Sequence, residues 1–238
     1  MPSFTLARRL RALGLLAAVA LGSMSLNSAA ADAPKPTRVR IETSMGNFVI
    51  EVNNERAPLS SANFLQYVRS GFYDGTLFHR VIANFVIQGG GYDTHFTLKA
   101  PKANVDNESG NGLSNKRYTV GLARQEAPHS GNSQFYINLA DNDDLDPTPL
   151  RWGYAVFGRV VSGFDVVERI GRVATGELGP FKKDAPQVPV IITKAEIDTS
   201  EPPAAAAPAP APGPAPAVAP PAAPPPPAPP ASGGAPPS

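Results

Sequence analysis

The run Tyr73-Asp-Gly-Thr-Leu-Phe-His-Arg-Val-Ile-Ala-Asn-Phe-Val-Ile-Gln-Gly-Gly-Gly91 decides how this chain is read. Two segments rich in aromatic and β-branched residues, 77–82 and 85–88, stand close together and read as a strand pair. Side chains alternate along a strand, so Phe78, Arg80 and Ile82 share one face while His79 and Val81 share the other. Val86 and Gln88 share a face of the second strand. Gln134 and Tyr136 share a face of a later one. Arg80, Gln88 and Gln134 are therefore candidates to line one polar site, interleaved with Phe85, Val86 and Tyr136. The glycines that end the run are followed by no Lys-Ser/Thr pair, which excludes a phosphate loop. They read as a turn that needs positive φ.

The pattern on both sides is mostly of period two. Val39, Ile41 and Thr43, then Phe48, Ile50 and Val52, alternate with mainly polar neighbours around Met45-Gly46, as in a hairpin with one buried face. Pro58 opens a helix, where its fixed φ fits and no amide donor is needed. Leu59, Ala62, Leu65 and Val68 recur in it at helical spacing, with Phe64 beside them, and Gly71 can end it. Further strands are expected over 119–123, 134–138, 154–161 and 188–197, and a second helix over 165–170. About eight strands and two short helices make the domain mainly β. A closed antiparallel eight-stranded β-barrel hides the strand edges that such a count would otherwise expose. The polar, Gly/Asn-rich stretch 92–116 is long enough to be functional or to wrap the surface.

Both ends differ from this pattern. Arg8, Arg9 and Arg11 precede an apolar run over residues 12–21, and small residues follow up to Ala31. This is the pattern of a secretory signal peptide over 1–31. Ten apolar residues are too few for a bilayer, which needs about 20, so no stable membrane insertion is expected. Residues 32–37 read as a flexible leader and 38–198 as the folded domain. From Pro202 to Ser238 there are 17 Pro and 14 Ala among 37 residues, with no charge and no aromatic. Such a tail (199–238) cannot bury enough surface to offset its ordering entropy and is expected to be disordered. It reads as a semi-extended polyproline spacer, or alternatively as a recognition element for a partner or an internal ligand.

Composition removes several kinds of chemistry. The chain has no Cys, hence no disulfide, thiolate zinc site or cysteine nucleophile. Without residues 1–31, 18 Lys and Arg stand against 20 Asp and Glu, which leaves no basic footprint for nucleic acid. His95 and His129 fall in expected loops without ligand spacing, and His79 reads as a hydrogen-bonded core histidine. The acidic segment 141–146 lacks the glycine and the bidentate glutamate of a calcium loop. Neither metal nor cofactor is expected. Gly131-Asn-Ser133 lacks the second glycine of a nucleophile elbow.

The segment from Tyr73 to Gly90 resembles the signature of cyclophilin-type peptidyl-prolyl cis-trans isomerases. Gly131-Asn-Ser-Gln-Phe-Tyr-Ile137 and Tyr154-Ala-Val-Phe-Gly158 resemble two further motifs of that family, in the same order. The resemblance spans about residues 38–198 and is closest to the exported bacterial subgroup. It implies the cyclophilin-like barrel, a catalytic role for Arg80 with Gln88 beside it, and proline-containing peptides as ligands. Position by position it implies that Phe85, Val86, Tyr136 and Leu145 wall the proline pocket. Ala123, Arg124 and Gln134 match positions that hold the peptide backbone. Val86 replaces a common methionine, and Tyr154 a common histidine of the pocket wall. Asp144 replaces a tryptophan of cyclosporin-sensitive members, which implies weak cyclosporin binding.

An X-Pro bond isomerises without breaking any bond, so no nucleophile, metal or proton shuttle is required. Resonance sets a barrier of about 18–20 kcal/mol. A donor aimed at the prolyl nitrogen localises its lone pair, and an always-charged guanidinium suits that task. The expected function is acceleration of X-Pro isomerisation in unfolded or folding exported proteins, by a monomer, in the periplasm or secreted beyond it. The contrasting reading is a non-catalytic chaperone or envelope adaptor that binds proline segments.

Overall fold

The computed structural model describes residues 36–199. The signal-peptide reading and nearly all of the tail reading concern residues outside that span. Of the leader, Pro36 and Thr37 are described, and the Thr37 carbonyl accepts a hydrogen bond from Val52 N at 3.0 Å.

Alternating burial over β1 (Arg38–Thr43) and β2 (Gly46–Val52) makes the expected hairpin, with the turn at Ser44-Met45. The other strands are β3 (Thr76–Ile82), β4 (Val86–Asp93), β5 (Thr119–Leu122), β6 (Phe135–Asn138), β7 (Val156–Ser162), β8 (Thr175–Leu178), β9 (Phe181–Pro186) and β10 (Val190–Ile197). Eight of them close into a barrel in the order β1-β10-β3-β4-β6-β5-β7-β2, every neighbouring pair antiparallel. Closure leaves no unpaired edge. Asp198 N donates to Arg38 O at 2.9 Å, tying together the two ends of the barrel sequence. Among the described residues, no helix is long and apolar enough to cross a membrane.

Two short helices pack on the barrel: α1 (Pro58–Arg69) and α2 (Phe164–Ile170). Phe64 of α1 enters an aromatic cluster, its centroid 5.4 Å from Tyr73, 5.4 Å from Phe135 and 5.1 Å from Phe157. The inward stripe of α1 differs from its apolar spacing. Leu59 is 48% exposed and Ala62 is exposed, while Ser60, Ser61 and Asn63 are buried. The reason is that the buried polar groups are satisfied. Ser60 Oγ reaches Glu108 at 2.7 Å, Ser61 Oγ reaches the Asn53 carbonyl at 3.2 Å, and Asn63 Nδ2 reaches the Asn132 carbonyl at 2.6 Å. Buried polar groups with partners cost little, so hydrophobic spacing does not alone choose the face.

Two features have no counterpart in the sequence pattern. A 3₁₀ turn, Asp143–Leu145, lies inside the acidic segment. A separate two-stranded sheet, β8–β9, packs beside β3. Its strands are short and largely exposed, so they carry almost no period-two signal.

Candidate active site

The site is built on the outer surface of β3, β4 and β6. Val81, Ile87, Phe135 and Ile137 point into the core, so Val86, Gln88, Tyr136 and Asn138 take the alternate, outer positions. The register between β3 and β4 slips twice, and the slip beside the site lies on β3. Phe78 pairs with Gly89 but Arg80 pairs with Gln88, so β3 carries one extra residue at this point. Phe78 and Val81 are both in the core, with His79 and Arg80 between them. The expectation that Phe78 and Arg80 share a face is therefore corrected: a β-bulge places Arg80 on the side opposite Phe78.

Register then brings the candidate polar residues together. Arg80 is opposite Gln88, and Gln88 is opposite Tyr136. Arg80 Nη1 donates to Gln88 Oε1 at 3.3 Å, and Gln88 Nε2 donates to Gln134 Oε1 at 3.0 Å. This directional row runs from a charged donor through two amides. The Arg80 side chain is 40% exposed, open to a ligand and only partly desolvated.

The glycines after Gln88 belong to β4 and do not form the expected turn, although Gly90 does have φ +81°. Their role is close approach. A Cβ on Gly90 would lie 2.8 Å from the Tyr73 ring, and one on Gly91 would lie 2.7 Å from Cγ and Cδ of Gln134. Gly91 thus leaves the space in which Gln134 lies beside Gln88.

An apolar wall adjoins the row. Val86 is 3% exposed and Tyr136 is 4% exposed. Tyr154 meets Tyr136 edge-on, with centroids 6.1 Å apart and planes at 86°. Leu145, on the 3₁₀ turn, and Phe85, just before β4, are half-buried. The Leu145 carbonyl accepts Tyr154 N at 2.9 Å, so these two wall residues are held together by backbone. The Phe85 carbonyl accepts Leu139 N at 2.8 Å and Asn142 Nδ2 at 2.9 Å.

A residue not singled out in the sequence organises this wall. Asn115 is fully buried. Its Oδ1 accepts the Tyr136 hydroxyl at 2.6 Å and Asn138 Nδ2 at 3.2 Å. Its backbone N and Nδ2 both donate to Asp146 Oδ1, each at 2.7 Å. Burial pushes the Tyr136 phenol well above its ordinary pKa, with the nearby Tyr154 and Asp146 adding to the effect, so it stays a neutral donor. The only sequence signal for Asn115 was its place near the end of the long polar stretch.

Ala123 follows β5, and its N donates to the Gln134 carbonyl at 2.9 Å. Arg124 is committed locally. Its guanidinium donates to the carbonyls of Gly153, Gln125, Glu126 and Trp152 and lies 4.5 Å from the centroid of the Tyr154 ring. The Arg124 side chain therefore braces the wall, leaving its backbone as the part that can face a peptide. Asp144 is exposed on the 3₁₀ turn.

His79 differs from its expected role. It is buried, but against the β8–β9 sheet and outside the barrel core. Its ring stacks on Phe181 with centroids 5.3 Å apart and lies 4.8 Å from Tyr92. Among the described residues, Nδ1 has no hydrogen-bond partner. Burial lowers its pKa to about 4; the Leu77 backbone opposes this shift and the adjacent Arg80 charge adds to it. The ring is thus neutral near pH 7 and unsuited to act as a base. Among the described residues, no group of His, Asp and Glu is arranged to hold a metal ion.

The family model for cyclophilin type peptidyl-prolyl cis-trans isomerase/CLD matches residues 38–197. A peptidyl-prolyl cis-trans isomerase of Acinetobacter baylyi is 45% identical over 180 residues, covering 76% of this chain and 94% of that protein. Peptidyl-prolyl cis-trans isomerase B of Escherichia coli is 46% identical over 162 residues, covering 67% of this chain and 98% of the relative. Among solved structures, a cyclophilin type isomerase of Cryptosporidium parvum superposes with a TM-score of 0.58 at 25% identity, covering 70% of this chain and 99% of that one. A second structure of the same isomerase, in the presence of the dipeptide Ala-Pro, gives a TM-score of 0.57 at 25% identity and covers 68% of this chain and 99% of that one. With the barrel closed, the polar row assembled on its outer face and the family model running from β1 to β10, the chain belongs to the cyclophilin-type peptidyl-prolyl cis-trans isomerases.

Proposed function

We propose that this isomerase acts on X-Pro bonds of polypeptides that fold after export, and that Arg80 supplies the group that lowers the barrier. The observation that carries the proposal is the hydrogen-bonded row Arg80–Gln88–Gln134 beside the wall of Val86, Tyr136 and Tyr154. A proline ring seated on the wall sets its nitrogen next to the guanidinium. A donor there draws the lone pair out of conjugation with the carbonyl, and the C–N bond loses double-bond character. Gln88 fixes one corner of the fork, and Gln134 is placed to meet the peptide backbone along with the backbone of Ala123 and Arg124. A barrier of 20 kcal/mol corresponds to a rate on the order of 0.01 per second, and lowering it by about 6–7 kcal/mol gives roughly 10² to 10³ per second.

Proline-containing peptides are the ligand class, in keeping with the related isomerase studied in the presence of Ala-Pro. A monomer suffices, because row and wall come from one chain. Action in the periplasm rests on the arginine-led apolar run over residues 12–21 and the small residues that follow it up to Ala31. Turnover of a short X-Pro peptide, followed by protease coupling or exchange NMR, tests the catalytic part. Arg80→Ala is expected to lower kcat/KM by about 10²–10³, as loss of one aligned donor does elsewhere. Full activity of Arg80→Ala would remove Arg80 from its role. An inert parent chain that still binds the peptide would identify a binding module instead. Fractionation of cells expressing the full chain tests its location.

A further inference from the structure

We infer that Asp184, on the β8–β9 sheet, is a positioning residue for the Arg80 guanidinium. The inference rests on the proposed role of Arg80. Asp184 Oδ2 lies 3.9 Å from Arg80 Nε, with the two side chains 25% and 40% exposed. Gln88 Oε1 holds Nη1 of the same group at 3.3 Å. A guanidinium is a rigid plane, so the Gln88 hydrogen bond at Nη1 and the charge of the Asp184 carboxylate facing Nε at ion-pair distance together bias the direction in which the third corner points. Among the described residues, Arg80 Nη2 makes no hydrogen bond and is left for the prolyl nitrogen.

The local backbone is shaped to put Asp184 there. β8 and β9 pair Leu178 with Phe181 and Gly176 with Ala185, so Lys182, Lys183 and Asp184 stand against the single residue Glu177. Such bulges re-aim side chains. Asp184 has φ +63°, a left-handed conformation that a non-glycine residue adopts at some cost, though Asp and Asn tolerate it best. The sheet is pinned to the strands that bear the site. Phe181 stacks on His79 of β3 and meets Tyr92 of β4 at 4.9 Å with planes at 83°. Phe96 packs on Phe181 at 6.3 Å, and a Cβ at Gly179 would fall 2.7 Å from the Phe96 ring. The burial of His79 is thus explained by its position beneath a sheet that holds an acceptor next to Arg80.

The test uses Asp184→Asn, which keeps the left-handed preference and removes the charge, and Asp184→Ala, each in the full chain and again with Arg80→Ala. Asp184→Asn is expected to reduce kcat/KM by about twofold to fivefold, the range open to a partly exposed ion pair. The loss should fall on kcat, with KM and the thermal midpoint unmoved, and Asp184→Ala should lose at least as much. The Arg80 Nε–Hε NMR signal should shift in Asp184→Asn. Neither substitution should lower the residual turnover of Arg80→Ala, measured at raised enzyme concentration. Parental turnover and an unmoved Arg80 signal in Asp184→Asn, with Arg80→Ala nearly inactive, would overturn this inference alone. An equal loss in both backgrounds would also overturn it, because Asp184 would then act on something other than Arg80. Full activity of Arg80→Ala would instead remove the reading on which the inference stands.

Discussion

Replacing Gln88 tests whether the polar row works as a unit. Gln88→Leu keeps the volume and removes both of its hydrogen bonds, from Arg80 Nη1 at 3.3 Å and to Gln134 Oε1 at 3.0 Å. A bond to a charged group is worth about 1.5–3 kcal/mol when buried and a neutral one about 1 kcal/mol. Here Arg80 is partly solvated and the bond is long, so the charged bond belongs near the bottom of that range. Water replaces part of both interactions in the free enzyme, which keeps the folding penalty at about 1 kcal/mol or less. The bound proline displaces water, and the transition state then meets a guanidinium held at one corner fewer. A loss of about 1–1.5 kcal/mol in transition-state stabilisation corresponds to roughly a tenfold fall in kcat/KM. Gln88→Glu separates two explanations. It still offers Arg80 an acceptor, now charged, but turns the donor that faces Gln134 into a second acceptor. If Gln88 only holds Arg80, Glu is tolerated; if the row to Gln134 matters, Glu fails about as badly as Leu. We expect the second result in protease-coupled turnover of a short X-Pro peptide. Gln88→Leu within twofold of the parent would refute the reasoning, since Arg80 would then need no alignment from β4.

Two further predictions concern how the scaffold is held. α1 has no side-chain cap of its own at Ala57; instead the distant Glu108 carboxylate accepts Leu59 N at 2.9 Å, Ser60 N at 2.7 Å and Ser60 Oγ at 2.7 Å. Glu108→Ala should cost about 2–3 kcal/mol, from a lost charged cap at a helix N-terminus, and lower the midpoint by about 5–10 °C. A loss below about 0.5 kcal/mol in urea unfolding would mean that water serves the helix end equally well. His79 sets a pH dependence. Its pKa falls from 6.5 in the unfolded chain to about 4 in the fold, so the unfolded chain takes up the proton first and stability falls as pH drops from about 6.5 toward 4. The slope approaches about 1.4 kcal/mol per pH unit within that window, and His79→Phe should flatten it in unfolding curves at several pH values. Equal slopes for the two proteins would show that other groups carry the acid sensitivity.

The sequence made the barrel legible because its core obeys simple rules. Val39, Ile41, Phe48, Ile50, Ile87, Phe135 and Ile137 alternate as strands with one buried face must, and all lie in the core. Arg80, Gln88 and Gln134 were legible as a group from the long motif and from parity over 86–88 and 134–136, whereas parity along β3 put Arg80 on the wrong side relative to Phe78. The inward face of α1 was not, since Ser60, Ser61 and Asn63 are buried by virtue of partners far away in the chain. Asn115 and Asp184 were not either. Each acts on residues about 20 or more positions away through loop or bulge geometry, and neither geometry leaves a periodic trace.

These misses have a common cause, which bears on where function sits in this fold. A barrel strand that alternates perfectly gives every second residue to the core and leaves the others to face outward in a fixed order. Such a strand cannot turn Arg80 toward Gln88 and also keep Phe78 and Val81 inside. The extra residue at His79 resolves that conflict, at the cost of a histidine ring that must be covered. The β8–β9 sheet provides the cover through Phe181, and its own bulge brings Asp184 to the guanidinium. Departure from periodicity on β3 thus creates the need for a covering element, and the covering element is placed to tune the residue that the departure exposed. On this argument His79, Phe181 and Asp184 form one device with Arg80. Substituting Phe181 by Ala should therefore affect Arg80 more than it affects the barrel: turnover should fall while the core aromatic signals of Phe64 and Phe135 stay where they are. A collapse of those core signals at the same time would show that the sheet stabilises the whole barrel and does not serve the site in particular.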